Sequence, residues 1–191
     1  MWPEQFGPAE KHVDFEAMLQ EWVEVTLRNE WVAVPLPGGE CHDFTLITDS
    51  CRLGFCGIAI SNKTGQATVI SGKWPFDHEL LSSSATTEPL GVAVTLKAFF
   101  KPYAASRVLL LTDNTGQCGE IVKSYGTKEG AFISEWIQKN FPRLRLNVEY
   151  YRGEAIATDE GSRGKKTDIN KLNAMAADYN LDITSIREFR F

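Results

Sequence analysis

Four acidic residues stand at points of the sequence where a carboxylate suits chemistry better than stability. Asp49 and Asp113 each end an apolar run that is typical of a buried strand. Glu88 stands where a helix is predicted to begin, and Asp159 lies in the loop that opens the C-terminal region. A charge beside a buried strand is costly unless it is paired or bound to a metal ion, so two such strand ends indicate a shared acidic site. Carboxylate oxygens are ligands that Mg²⁺ prefers.

Each of these acids also has a structural explanation when it is taken alone. Glu88 could interact favourably with the positive end of a helix dipole, and Asp113 could cap the helix that follows it. It is therefore the set of acids, rather than any single member, that favours a metal-binding site.

The segments around these acids predict the elements that would position them. Three strand-like runs are predicted at 43–49, 54–61 and 66–72, and the turn composition of Asn62–Gly65 joins the last two as a hairpin. Glu88 is predicted to open a helix that ends near Phe100. Pro89 would then lie in the first turn, where its missing N–H has no helical partner.

The rest of the pattern alternates between helix and strand. Thr127 is a predicted N-cap, and a polar loop is expected at 152–167. The predicted elements, in order, are a strand, two helices, a strand, a helix and a terminal strand-like segment: 107–112, 115–124, 128–140, 143–151, 168–179 and 181–191. Hairpin strands followed by this alternation predict an α/β fold, with helices packed on the faces of a mixed sheet.

The N-terminal segment is predicted to be separate from this domain. Apolar residues recur at helical spacing across 8–27, and Pro35–Gly39 has the composition of a linker. A helix that covers the core and a helix that binds a partner both fit the pattern. We expect an N-terminal helical extension and linker at 1–40, the main domain at 41–167, and a C-terminal helix and tail at 168–191.

Charge is unevenly distributed along the 191 residues, whose net charge is −5. Residues 1–48 have a balance of −7 and residues 49–191 one of +2, which becomes +6 if four acids bind metal ions. This distribution fits a mildly basic domain behind an acidic segment, not a strongly basic nucleic-acid binder.

The sequence lacks the features that would predict a secreted or membrane protein. No apolar run approaches the roughly 20 residues of a membrane span, and no signal peptide is visible at the start. The four cysteines include no Cys-x-x-Cys pair, so reduced thiols are expected, with zinc binding alongside His42 or His78 as the weaker alternative. We expect an intracellular protein, cytoplasmic or nuclear, without a membrane partner.

Several short motifs follow one another across residues 43–165: Thr48–Cys51, Gly54–Phe55, Gly72–Trp74, Thr86–Glu88, Asp113–Thr115, then Lys123, Gly126 and Thr127, and finally Gly153 to Arg163. In this order they resemble the ribonuclease H domains of retroelements, above all those of tyrosine-recombinase retrotransposons of the DIRS and Ngaro type. The resemblance implies a ribonuclease H-like mixed five-stranded sheet with helices on both faces.

The resemblance also implies a reaction. Asp49, Glu88, Asp113 and Asp159 would be catalytic and would bind two Mg²⁺ ions, with Mn²⁺ as an alternative. Asp49 would bridge both ions, Glu88 and Asp113 would complete one site, and Asp159 would complete the other. Such a pair supports in-line hydrolysis of a phosphodiester. The substrate would be the RNA strand of an RNA–DNA hybrid.

Contacts to the hybrid are expected on both sides of the acids. Residues before a helix N-terminus suit phosphate binding, although the same residues are often simple caps, and basic residues after the last acid are often only solvated. The residues expected to contact nucleic acid are Ser50, Arg52, Ser84, Thr86, Thr87, Asn114, Arg163 and Lys165.

The sequence departs from the family pattern at the last motif. Ala155 replaces the usual asparagine, and the loop at 151–155 lacks the histidine that cellular ribonucleases H carry there, so slow turnover is expected. An active hybrid-cleaving enzyme is the first hypothesis, joined through its N-terminal helix to a polymerase module of a reverse transcriptase. An inactive nucleic-acid-binding or assembly module in a larger ribonucleoprotein is the second. A Holliday-junction nuclease is less well supported by the motifs.

Overall fold

The computed structural model describes residues 42–75, 79–102, 104–116, 121 and 127–191. The chain separates into two compact units, Met1–Glu40 and Cys41–Phe191. The predicted N-terminal helix and linker lie outside the described residues, as does most of the helix predicted at 115–124. None of the helices in the described ranges is long and apolar enough to cross a bilayer.

The second unit is built on a six-stranded mixed sheet. In chain order, the strands are β1 (Phe44–Ser50), β2 (Gly54–Ser61), β3 (Gln66–Lys73), β4 (Ser106–Thr112), β5 (Leu144–Tyr150) and β6 (Ser185–Arg190). The strands run antiparallel through β1, β2 and β3, whereas β4 and β5 are parallel to β1, and β6 is parallel to β3. Their order across the sheet is β5-β4-β1-β2-β3-β6.

Helices cover both faces of the sheet: α1 (Ser84–Phe99), α2 (Lys128–Asn140), α3 (Asp159–Ser162) and α4 (Ile169–Asp178). Alternate residues of a strand point to opposite faces, so Leu46 packs with α1 and α2 whereas Ile47 packs with α4. Both side chains are fully buried, which places the centre of the sheet between two apolar layers. The predicted α/β class, with a mixed sheet and helices on both faces, is confirmed.

The strand count differs from the prediction because the C-terminal tail joins the sheet. The segment 181–191 was predicted to be strand-like but was not counted in the five-stranded sheet, and its residues Ser185–Arg190 form a sixth strand paired with β3. All six side chains of this edge strand are exposed, so it lacks the alternation of buried and exposed residues that marks a half-buried strand.

Helix α1 begins four residues earlier than predicted, at Ser84 instead of Glu88. The carbonyl of Ser83 accepts hydrogen bonds from the N–H groups of Thr86 and Thr87, at 3.0 Å each. Pro89 therefore lies inside the helix and not in its first turn, and it has no N–H to donate to the carbonyl one turn earlier. Glu88 consequently projects from the second turn, where burial against the sheet is greater than at a helix end.

The predicted cap and turn are both present. The Thr127 hydroxyl oxygen accepts a hydrogen bond from the N–H of Gly130 at 3.1 Å, and α2 begins at the next residue. In the β2–β3 turn, Gly65 adopts a φ of +68°, and its N–H donates to the carbonyl of Ser61 at 2.8 Å. Glycine suits this position because side chains disfavour the left-handed region.

Candidate metal centre

The sheet brings Asp49 and Asp113 to the same end and the same face. Parallel pairing of β1 and β4 places Ile47 beside Leu111, and continuing this register by two residues places Asp49 beside Asp113. Ile47 and Leu111 belong to one core layer, so carboxylates two residues further along point to that side as well. Adjacent parallel strands are about 4.8 Å apart, which is a suitable separation for two ligands of one ion.

Helix α1 brings the third acid to this pair. The Ser50 hydroxyl, at the end of β1, donates a hydrogen bond of 2.6 Å to the carbonyl of Thr87, the residue before Glu88. Gly91 permits this approach, since a Cβ there would lie 2.8 Å from the Ser50 Oγ atom. The first turns of α1 are thereby fixed against the strand that carries Asp49.

The three carboxylates form a compact cluster. Asp49, Glu88 and Asp113 each contribute one oxygen, and these oxygens all lie within 4.8 Å of one another. Asp49 and Glu88 are buried, with 7% and 6% of their surfaces exposed. The Glu88 Oε2 atom is buried and has no hydrogen-bond partner among the residues that the structure describes, which is unusual for a carboxylate oxygen in a folded protein. A bound cation would satisfy it.

Burial and mutual repulsion make protons bind tightly in this cluster. Burial, followed by repulsion from Asp49 and Asp113, raises the pKa of Glu88 to about 9. Burial also raises the pKa of Asp49, while the hydrogen bond from Ser162 acts in the opposite direction and lowers it. The pKa of Asp113 is raised by burial and by the charge of Asp159. Such acids are poorly suited to stabilising the fold, whereas a divalent cation would compensate their charge.

Asp159 stands beside the cluster without belonging to it. It begins α3, and its Oδ1 atom forms an ion pair of 2.7 Å with Arg163 one turn later. Its charge still acts on both Asp49 and Asp113, so it lies near them. The donor set of Asp49, Glu88 and Asp113 fits one divalent ion, and Asp159 lies outside this set.

The residues predicted to contact nucleic acid have different surroundings. Ser50, Thr86 and Thr87 are buried, and the Thr87 hydroxyl also donates to the carbonyl of Ser83, at 3.3 Å. Ser84 and Arg52 are exposed at the start of α1 and in the β1–β2 turn. The side chains of Ser50 and Thr87 therefore hold α1 in place, while Ser84 and Arg52 face solvent.

The remaining predicted contacts lie around the strand ends and α3. Asn114 is half-buried beside Asp113, and its N–H donates to the hydroxyl of Thr112 at 3.2 Å. Arg163 and Lys165 are exposed, and their cationic groups are paired with Asp159 and Glu160 at 2.7 Å each. Phosphate oxygens would compete with these carboxylates for the two cations.

Two residues at the centre were not identified as site residues from the sequence. The Ser162 hydroxyl donates to the Asp49 Oδ2 atom at 2.5 Å. Gly153 lies so close to Asp113 that a Cβ would be 2.7 Å from its Oδ2 atom. Ser162 and Gly153 both belong to the last sequence motif, but the spacing of that motif does not show that Ser162 contacts Asp49, which lies 113 positions earlier.

No protein-family model and no curated protein matches the sequence. Among solved structures, the N-terminal RNase H domain of Rv2228c from Mycobacterium tuberculosis is similar, with 12% identity and a TM-score of 0.45 over 65% of this chain and 99% of that chain. RNase H1 from the archaeon Halobacterium salinarum is similar with 9% identity and a TM-score of 0.43, over 63% of this chain and 98% of that chain.

Proposed function

We propose that this domain is a metal-dependent nuclease of the ribonuclease H type, which cleaves the RNA strand of RNA–DNA hybrids. The observation that supports this most directly is the convergence of Asp49, Glu88 and Asp113 to within 4.8 Å, with a buried Glu88 oxygen that has no partner within the described part of the chain. A purely structural role would not explain why three acids, two of them buried, gather at the end of the sheet.

The acids have distinct roles in this proposal. Asp49, Glu88 and Asp113 would hold one Mg²⁺, or Mn²⁺, and Asp49 and Asp159 would hold a second. When bound, the ions supply an activated water and charge stabilisation for the leaving oxygen. Glu88 would release its proton as the ion binds, and Asp159 would exchange its pairing with Arg163 for the second ion.

We propose that polar and basic residues outside the acidic cluster bind the nucleic-acid substrate. Arg52, Ser84, Arg163 and Lys165 are exposed and could bind backbone phosphates. The order of motifs supports a retroelement origin with a polymerase module as partner, and we propose an intracellular location. A protein that reads the RNA strand must contact the 2′-hydroxyl, for which Glu88 and backbone groups near Ser50–Arg52 are the candidates.

A second candidate function follows from the surroundings of Asp159. Its pairing with Arg163, and its place outside the three-acid cluster, would also suit a domain that binds nucleic acid without cleaving it. This domain would serve as an assembly module in a larger complex. Its metal site would be incomplete.

The experiment compares substrates and metals with the full chain. Labelled RNA–DNA hybrid, double-stranded RNA and double-stranded DNA are incubated with Mg²⁺ or with a chelator. We expect Mg²⁺-dependent cleavage of the hybrid only. Asp49→Asn should lower kcat by at least about 100-fold, since even outer-shell partners of metal ligands are worth about 10–100-fold.

Asp43→Asn is the matched control, because Asp43 lies just before the same strand and its carboxylate accepts an exposed hydrogen bond from the N–H of Arg107. It should cleave like the wild type. Full activity of Asp49→Asn would refute the nuclease proposal, and tight hybrid binding without any cleavage would favour the assembly module.

A further inference from the structure

We propose that Ser162 is a positioning residue that sets the orientation of the Asp49 carboxylate and thereby links the two parts of the metal centre. This inference rests on the proposed function for its catalytic consequence. Its geometric basis is the hydrogen bond of 2.5 Å from the Ser162 hydroxyl to the Asp49 Oδ2 atom.

The bond is shielded from water and has a preferred acceptor. Ser162 is 2% exposed, and Asp49 is 7% exposed. The Ser162 hydroxyl also lies 2.9 Å from the carbonyl of Asp159, but it carries a single proton. The shorter bond to a carboxylate is of the stronger, charge-assisted kind, so the proton is directed to Asp49.

The backbone around Ser162 is held directly against the β1–β2 hairpin. A Cβ at Gly161 would overlap the Cys56 sulfur, and a Cβ at Gly54 would lie 3.2 Å from the Ser162 carbonyl oxygen. The Cys51 thiol donates to the same carbonyl at 3.4 Å. Glycine at both positions lets α3 approach closely enough for a side chain as short as serine to reach Asp49.

This arrangement connects two ligands that come from opposite ends of the domain sequence. Helix α3 begins with Asp159 and ends with Ser162, so the same short element carries one acid and orients another. With one oxygen of Asp49 engaged, rotation of its carboxylate is restricted, and its ligand geometry towards Glu88 and Asp113 is set before an ion arrives. Loss of the hydroxyl would leave the Asp49 carboxylate free to rotate within the cluster.

The test measures metal binding as well as activity. Full-length wild type, Ser162→Ala, Ser162→Cys and Ser162→Thr are titrated with Mn²⁺ by calorimetry, and kcat and KM are measured on the RNA–DNA hybrid. We expect Ser162→Ala and Ser162→Cys to bind Mn²⁺ about 10-fold more weakly and to lose about 10-fold in kcat with KM unchanged. Ser162→Thr, which keeps the hydroxyl, should recover most of both values.

Ser134→Ala is the matched control, since Ser134 is another fully buried serine, and its hydroxyl has no hydrogen-bond partner in the described ranges of the chain. It should leave Mn²⁺ affinity and kcat unchanged. Ser162→Cys keeps an atom at the γ position but only a weak hydrogen-bond donor, so it provides the comparison if the alanine variant does not fold.

The outcomes separate this proposal from the function itself. Mn²⁺ affinities within twofold of wild type in both the alanine and the cysteine variants would overturn the role of Ser162. A wild type that binds Mn²⁺ but cleaves no hybrid would refute the nuclease, while the affinity comparison would still decide the positioning role. A wild type that binds no divalent ion would refute both.

Discussion

Replacing Glu88 with glutamine should make the metal-free protein more stable while abolishing its metal site. In the folded state the pKa of Glu88 lies at about 9, raised mainly by burial, against an ordinary value of 4.5. The folded protein therefore binds this proton more tightly than the unfolded chain. The stability that this bound proton gives to the folded state is fully present below the ordinary pKa of 4.5. It is lost progressively as the pH rises towards the folded-state pKa of about 9.

The size of the stability loss follows from the interval between the ordinary and the folded-state pKa of Glu88. Each unit of pH between the two values of 4.5 and about 9 costs about 1.4 kcal/mol of unfolding free energy. By neutral pH the loss is roughly 3 kcal/mol, a large part of the stability of a typical domain. Glutamine keeps the shape of the protonated side chain and cannot ionise, so Glu88→Gln should avoid this loss.

The assay is urea unfolding in the presence of a chelator, at about pH 5.5 and about pH 8. We expect the wild type to lose clearly more stability between these conditions than Glu88→Gln, and the variant to be the more stable protein at the higher pH. Glu129→Gln, which removes a charge from the exposed first turn of α2, is the control and should behave as the wild type.

Equal pH dependence in wild type and Glu88→Gln would refute this reasoning. So would a variant that is less stable than wild type at the higher pH. Addition of Mn²⁺ should reverse the order, because only the wild type retains the full ligand set.

Three other predictions concern the same centre and its scaffold. Saturating Mg²⁺ should raise the melting temperature of the wild type but not that of Asp113→Asn, as followed by circular dichroism, because only the wild type gains binding energy in the folded state. Gly153→Ala should weaken Mn²⁺ binding without unfolding the protein, since its Cβ would lie 2.7 Å from the Asp113 Oδ2 atom. Calorimetry measures the Mn²⁺ affinity and a melting curve measures the stability, and an unchanged affinity would contradict the prediction. Gly65→Ala should lower the unfolding free energy by about 2 kcal/mol, because the φ of this residue is +68° and the new Cβ would overlap the carbonyl of Asp182. Its Mn²⁺ affinity should stay intact. Urea unfolding measures the loss of stability.

The strands around the cluster could be predicted from the sequence because their patterns are strong and local. Thr45 to Asp49 and Val108 to Thr112 are nearly continuous buried runs, as expected for central strands covered on both faces. The convergence of Asp49 with Asp113 then follows from parallel pairing of neighbouring strands. The turn at Gly65 and the cap at Thr127 depend only on adjacent residues and were equally accessible.

The parts that the sequence did not predict depend on distant contacts. Pro89 indicated a helix start, but the pairing of Ser50 with Thr87 stabilises an earlier turn of α1. The terminal strand-like segment was predicted, but its pairing with β3 as a sixth strand was not, because an exposed edge strand has no buried alternation. The bond between Ser162 and Asp49 depends on two glycines that allow close backbone approach, and no pattern along the chain reports such an approach.

The pairing of β1 with β4 makes the centre tolerant of some changes and intolerant of others. Exposed side chains far from the strand ends can vary widely, since the pairing of the two strands brings Asp49 next to Asp113. A single inserted or deleted residue between Val108 and Thr112 would instead turn Asp113 to the opposite face of the sheet. Over a lineage, we therefore expect length changes to accumulate in the loops and to be eliminated from this short stretch of chain.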